Sequence, residues 1–234
     1  MPITIPKRIS ETFQQALQAL NKSNVPYVVG GAFALHHYTG VWRNTHDLDV
    51  YMERKDAPAA IDALSRAGFH DYGEMAVGDK QWIYHATKNH VLIDVIWQPP
   101  NHLSPVDESF YARSRQGTFL GVPVRFMPPD ELMWAKIFTM NRHRCDWPDV
   151  FTLVRACPRT LDWQHLVRKL GEHWAVLLSF IILYDWTYPG DRQCIPQEIR
   201  DELLDKKMRM PIVSDEPARE AILDPWIHSR PALP

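Results

Sequence analysis

The chain reads as an α+β protein: a small mixed β-sheet flanked by helices, followed by a C-terminal helical lobe. Three features carry that reading. Short apolar runs with strand-like alternation recur up to Phe126, helical apolar spacings separate the first of them, and strand-like runs stop after Pro128. The lobe boundary falls near residue 127, which predicts an α/β lobe over 1–127, a helical lobe over 128–207 and an extended tail over 208–234.

In chain order, Ile9, Phe13, Leu17 and Leu20 recur at helical spacing, so a first amphipathic helix is expected over 10–22 with Ser10 as its cap. Tyr27, Val28 and Val29 form a short buried strand. A helix over 32–38 starts directly at Gly30-Gly31, and 47–52 is a second strand. Asp56 and Pro58 open the next helix, Ile61, Leu64 and Ala67 give its buried face, and Gly68 ends it. Strands over 82–86 and 91–97 turn at Lys88-Asn89, and a small hairpin over 118–126 turns around Gly121. Between them, Pro99-Pro100 breaks the chain and a short helix covers 107–113. Beyond Pro128, helices are expected over 130–140, 149–156, 162–170, 174–184 and 196–206. Residues 208–234 are rich in proline and charge without periodicity.

With 234 residues, 45% of them hydrophobic and 23% charged, the chain can bury a proper core. A net charge of -2 supplies no global basic field for nucleic acid. Cys145, Cys157 and Cys194 are odd in number and lack a Cys-x-x-Cys pair, which favours free thiols in a reducing compartment. No apolar run follows the basic residues of the N-terminus, and the longest apolar stretch, 174–183, is shorter than the ~20 residues that span a bilayer. A soluble cytoplasmic protein is expected, with no membrane partner.

The chemistry concentrates in two stretches. Gly30-Gly31 at a helix start leaves room for close backbone approach and offers N–H groups to a phosphate. Asp47 and Asp49 alternate along a strand, so both carboxylates share one face. Asp94 stands alone between apolar neighbours in another strand, a costly choice unless it is paired or binds a metal. Three such oxygens suit Mg²⁺ or Mn²⁺. Each feature has an ordinary counterpart: Asp-x-Asp as turn chemistry, Gly-Gly as a tight turn, Asp94 as the partner of a buried arginine. Their coincidence, in this order, is what points to catalysis.

Gly30-Gly31, then Asp47-Leu48-Asp49, then Asp94 resembles the pattern of the DNA polymerase beta-type nucleotidyltransferase superfamily. Arg43-Asn44-Thr45-His46-Asp47-Leu48-Asp49 looks like the Arg-x-Thr-x-Asp-x-Asp form of its small bacterial AbiEii/MenT toxin-type members. Lys136, Arg142, Asp146 and Asp149 look like that group's lysine and Lys-Asp-x-x-Asp segment, with Cys145 where the group usually has lysine. The resemblance covers roughly residues 25–155. It implies a nucleotidyltransferase fold and Mg²⁺- or Mn²⁺-dependent transfer of NMP from an NTP to a small molecule, protein or tRNA end, with tRNA or an antitoxin as candidate partners. It also implies roles: Asp47, Asp49 and Asp94 as catalytic metal ligands, and Gly30, Gly31, Arg43, Thr45 and Lys136 as nucleotide-binding residues, with the helical lobe closing over the nucleotide.

Other readings stay open at this level. A non-enzymatic nucleotide-binding module or a metal-dependent phosphohydrolase would use the same carboxylates. Arg43 also suits a structural pair with Asp47 or a carbonyl, and Thr45 a hydroxyl ahead of the strand. Lys136 also suits a snorkelling surface position, and Asp146 and Asp149 suit helix caps. No His or Cys spacing indicates zinc. Arg142-His143-Arg144 is a local basic patch, and Trp134, Trp147, Trp163, Trp174 and Trp186 are expected to pack between helices.

Overall fold

The computed structural model describes residues 5–43, 45–72, 81–141, 143–210 and 218–223. The chain divides into two compact units, Met1–Pro128 and Pro129–Pro234.

The first unit is built on a seven-stranded mixed sheet. Its elements are α1 (Lys7–Ser23), β1 (Val28–Val29), α2 (Gly31–Thr39), β2 (Asp47–Tyr51), α3 (Ala57–Arg66), β3 (His70–Asp71), β4 (Ile83–Lys88), β5 (Val91–Ile96), α4 (Glu108–Ala112), β6 (Arg115–Phe119) and β7 (Val122–Phe126). The strand order is β3-β4-β5-β2-β1-β7-β6. β2 runs parallel to β5 and β1 parallel to β7, while the remaining neighbours are antiparallel.

The amphipathic spacing of α1 turns Phe13, Ala16, Leu17 and Leu20 into the core, and the helix packs against α3, β5 and β7. Burying Phe13, Leu17 and Leu20 contributes about 1.5–3 kcal/mol each. The helix begins three residues earlier than its spacing suggests, with Pro6 at the cap. The Ser10 hydroxyl instead donates to the Lys7 carbonyl at 2.9 Å. At the end of α3, Gly68 takes φ +85 and lets the Phe69 N–H reach back to the Leu64 carbonyl, the terminator expected of it.

Two tight turns fix the sheet's register. Asn89 and His90 both have positive φ, the two-residue turn whose twist suits a hairpin, and they join β4 to β5. Leu120 and Gly121 do the same between β6 and β7, so Leu120 belongs to a turn and not to the strand expected to contain it. The two-residue strand β3 was invisible to periodicity, because both of its residues are polar and exposed.

The second unit is helical: α5 (Pro129–Ile137), α6 (Trp147–Ala156), α7 (Trp163–Leu170), α8 (Trp174–Thr187), α9 (Gln197–Arg209) and α10 (Glu220–Leu223), with 3-10 turns at Gly171–His173 and Pro189–Cys194. α5 is buried along most of its length and packs against α6, α7 and α8. It stops at Ile137, short of the expected 140, because the chain folds back: Met140 bridges Cys145, and the Asp146 N–H donates to the Thr139 carbonyl at 2.9 Å.

Phe151, Phe180, Tyr184 and Tyr188 form an aromatic cluster joined by Trp147. Trp134, Trp147 and Trp163 are buried as expected, Trp174 is half-buried, and Trp186 is exposed at 79%, so it packs between no helices. Two departures concern the expected tail: α9 runs on to Arg209, and 220–223 are helical. Residues 211–217 and 224–234 of that tail, Asn44, and Arg142 of the basic patch lie outside the described residues. Among the described residues, no helix is long and apolar enough to cross a membrane.

Candidate functional site

β2 alternates as its sequence requires. Leu48 and Val50 are fully buried on one face, while Asp47, Asp49 and Tyr51 lie half-buried on the other. The parallel pairing sets Asp49 directly beside Asp94 of β5. Side chains opposite one another in adjacent strands share a face, so three carboxylates converge. One oxygen from each of Asp47, Asp49 and Asp94 lies within 4.8 Å of the other two.

The glycines are explained by the same strand. Gly31 has φ +54, and a Cβ placed there would fall 1.6 Å from Asp49 Oδ2. A Cβ on Gly30 would fall 2.4 Å from Tyr51 Cε2, and the Gly30 N–H donates to the Asp49 carbonyl at 3.0 Å. What the bare Cα of Gly31 admits is therefore the carboxylate of Asp49. That carboxylate sits at the first residue of α2, where the helix dipole favours negative charge.

Neighbouring groups hold the other two aspartates. The Thr45 hydroxyl donates to Asp47 Oδ1 in a close hydrogen bond. His85, on β4 and directly opposite Asp94, places its Nδ1 2.8 Å from Asp94 Oδ1. The hydrogen bond to Asp94 raises the His85 pKa above the ordinary imidazole value; burial opposes this, and the charges of Asp94, Asp71 and Asp47 add to it. Asp94 itself is only 9% exposed. Arg43 is exposed ahead of β2.

The arrangement fits a divalent cation. The carboxylate oxygens of Asp47, Asp49 and Asp94 that already lie within 4.8 Å of one another can converge on one Mg²⁺ at ~2.1 Å by side-chain rotation. All three donors are carboxylates, the ligand type that hard cations prefer.

The residues singled out in the second unit form a different arrangement. Lys136 is buried, not snorkelling: its Nζ donates to Asp146 Oδ2 and Asp149 Oδ2, both at 2.8 Å. Arg144 grips Asp146 with two further bonds of 2.7 and 2.8 Å. Asp146 stands at the N-cap position of α6, but its side chain makes no capping bond, because both its oxygens serve these cations.

Sequence reasoning missed a second acidic group, Asp130 and Glu131 of α5 with His165 of α7. Glu131 accepts from Lys169 and lies 2.8 Å from His165 Nε2, which gives this cluster its own cation. Asp130 and Glu131 open α5 where acids are common, and nothing in their spacing signals that both are buried. His85 was also missed, although its position in the hairpin gave the means to find it.

A family model described as an uncharacterised nucleotidyltransferase matches residues 7–185. Among solved structures, the solution structure of the antibiotic-resistance factor ANT(2″)-Ia is similar, with a TM-score of 0.53 and 16% identity over 74% of this chain and 96% of that one. JHP933 from Helicobacter pylori gives a TM-score of 0.45 at 13% identity, covering 88% of this chain and 97% of that one. The lincomycin-bound lincosamide antibiotic adenylyltransferase LnuA gives 0.44 at 11%, covering 64% and 98%. No curated protein matches. The first of these likenesses identifies the mixed sheet flanked by helices as a nucleotidyltransferase fold.

Proposed function

The chain belongs to the family described as uncharacterised nucleotidyltransferases, and on that premise we propose that it moves NMP from an NTP to an acceptor hydroxyl using Asp47, Asp49 and Asp94 as its catalytic group. The observation that carries the proposal is the side-by-side register of Asp49 and Asp94, with Asp47 on the same face and all three oxygens within 4.8 Å.

Asp47, Asp49 and Asp94 would hold Mg²⁺ or Mn²⁺. When bound, such an ion neutralises triphosphate charge as a Lewis acid. The chain's own residues do the rest. Thr45 orients Asp47, and the amides of the first turn of α2, from Gly31 on, favour the approach of phosphate, the Gly30 N–H being taken by the Asp49 carbonyl. Asp94 orients the acceptor hydroxyl and takes its proton. The acceptor oxygen bonds to the α-phosphorus, and the bond to the β-phosphate oxygen breaks with its electron pair leaving on pyrophosphate.

The acceptor is a hydroxyl on a small molecule, a protein or a tRNA end. The AbiEii/MenT likeness of Arg43 to Asp49 favours the tRNA end and an antitoxin partner, while small-molecule acceptors are those of the antibiotic-modifying proteins named above. The test is incubation with α-labelled NTPs, Mg²⁺ and fractionated cell extract. Label should move to one class of acceptor with release of pyrophosphate. Asp47→Ala and Asp94→Ala should each lower turnover at least about 100-fold, as expected when several kcal/mol of charge stabilisation is lost. Unchanged turnover in both variants would overturn the proposal.

A further inference from the structure

Three side chains form a row across three adjacent strands. The antiparallel register of β4 and β5 sets His85 opposite Asp94, and the parallel register of β5 and β2 sets Asp94 opposite Asp49. His85 Nδ1 and Asp94 Oδ1 are 2.8 Å apart, with the two side chains 24% and 12% exposed. An ionised carboxylate only accepts, so Nδ1 carries the proton in this bond. The imidazole is rooted on a strand whose pairing with β5 runs the full six residues from Ile83 to Lys88, so its place relative to Asp94 is fixed by the backbone.

We propose that His85 is the positioning residue of the acidic group: its Nδ1–H occupies one oxygen of Asp94 and turns the other toward Asp47 and Asp49. The inference rests on the metal-binding reading of these aspartates. A carboxylate on a strand can rotate about its last bond, and rotation exchanges which oxygen a cation meets. A hydrogen bond to one oxygen removes that freedom, which is how partners behind metal ligands commonly act, and losing such a partner typically costs 10–100-fold in affinity. Asp47 receives the same service from the Thr45 hydroxyl, so Asp94 and Asp47 are each held by a neighbouring donor.

The experiment uses the full chain and Mn²⁺ alone as the probe, with binding followed by calorimetry and by the paramagnetic resonance of the free ion. His85→Leu keeps the bulk of the ring and removes the donor. His85→Asn keeps an N–H near the Nδ1 position. His85→Leu should weaken Mn²⁺ binding by about 10–100-fold, and His85→Asn should restore it to within a few-fold of the wild type. In turnover assays kcat should fall in His85→Leu while the KM for NTP stays within about twofold, since the donor acts on the aspartates and not on the nucleotide. Wild-type Mn²⁺ affinity in His85→Leu, or no rescue in His85→Asn, overturns the inference.

Should His85→Leu fail to fold, the wild type answers by nitrogen-15 resonance. The His85 Nδ1–H signal should persist and shift when Mg²⁺ is added; its disappearance, or an unchanged position, overturns the inference. Asp94→Ala separates the two levels of argument. If it binds Mn²⁺ and turns over like the wild type, the metal-binding reading falls and the inference with it. If it loses both while His85→Leu loses neither, only the role of His85 falls.

Discussion

Asp94 of the sheet unit and Asp146 of the helical unit are both carboxylates that the fold takes out of water, and their surroundings differ in kind. Asp146 touches two permanent cations, Lys136 and Arg144, and Lys136 also bonds Asp149. Glu131 in the same unit has Lys169. Asp94 has an imidazole for a partner and two more aspartates within 4.8 Å. Two like charges ~4 Å apart repel by about 4 kcal/mol at an effective dielectric of 20, a large share of a domain's roughly 5–15 kcal/mol of stability. The helical unit spends its acids on internal ion pairs. The sheet unit gathers its acids where a cation would relieve them, the arrangement on which the proposed function rests.

The contrast breaks most visibly at Lys136. Lys136→Met leaves Asp146 and Asp149 without this ammonium, with Arg144 still bonded to Asp146, inside a site where the Asp146 side chain is 1% exposed. Removing one partner of a buried pair costs 3–5 kcal/mol, and the surviving Arg144 places the expected loss near the bottom of that range, about 3 kcal/mol in urea unfolding. Asp47→Ala, by comparison, removes a charge from a crowded acidic group and should leave the protein, in the absence of metal, at least as stable as the wild type in the same unfolding measurement. Equal losses in the two variants would dissolve the distinction.

Gly31 sharpens the comparison from the sheet side. Gly31→Ala places a methyl group 1.6 Å from Asp49 Oδ2 at a residue with φ +54. The left-handed backbone alone costs a side-chain-bearing residue about 1–2 kcal/mol, and the clash must push Asp49 off its seat. Displacement of about 1 Å at a reacting centre can cost ~100-fold in rate. Pyrophosphate release should therefore fall by about that factor in a protein that still folds. An active Gly31→Ala would mean that the seat of Asp49 is not what Gly31 provides.

How much of this was legible in the sequence differs between the units for the same physical reason. Strand periodicity is exact, so Asp47, Asp49 and the isolated Asp94 announced a shared face, and the Gly-Gly turn announced a close approach. The approach expected there is that of a phosphate; what lies against Gly31 is the carboxylate of Asp49 itself. His85 was within reach: once the turn is set at Asn89-His90, antiparallel counting pairs 88 with 91 and so 85 with 94. Placing the turn one residue early hid that pairing. In the helical unit the deciding contacts come from a loop that folds Asp146 back onto Lys136, and no periodicity predicts a loop's path. Trp186 shows the same limit: its helix is apolar on every side, so spacing could not tell which tryptophan faces outward.

The smallest effect lies in the acid response of Asp146. Burial pushes its carboxyl up, but the hydrogen bonds and charges of Arg144 and Lys136 outweigh burial and hold it below the usual value. A depressed folded pKa means that the folded state prefers the ionised form. The stability this contributes is present above the unfolded value near 3.9 and is lost as pH falls through the folded one. Asp146→Asn keeps the shape of the side chain and cannot titrate. Below about pH 4 the wild type should therefore lose stability more steeply than Asp146→Asn, by at most about 1.4 kcal/mol per pH unit, with the two curves running parallel above pH 5. Urea midpoints measured from pH 6 to pH 3 read the difference directly. Parallel acid limbs would mean that Arg144 and Lys136 do not hold Asp146 as an ion, and the helical unit would lose its claim to be the one that neutralises its own acids.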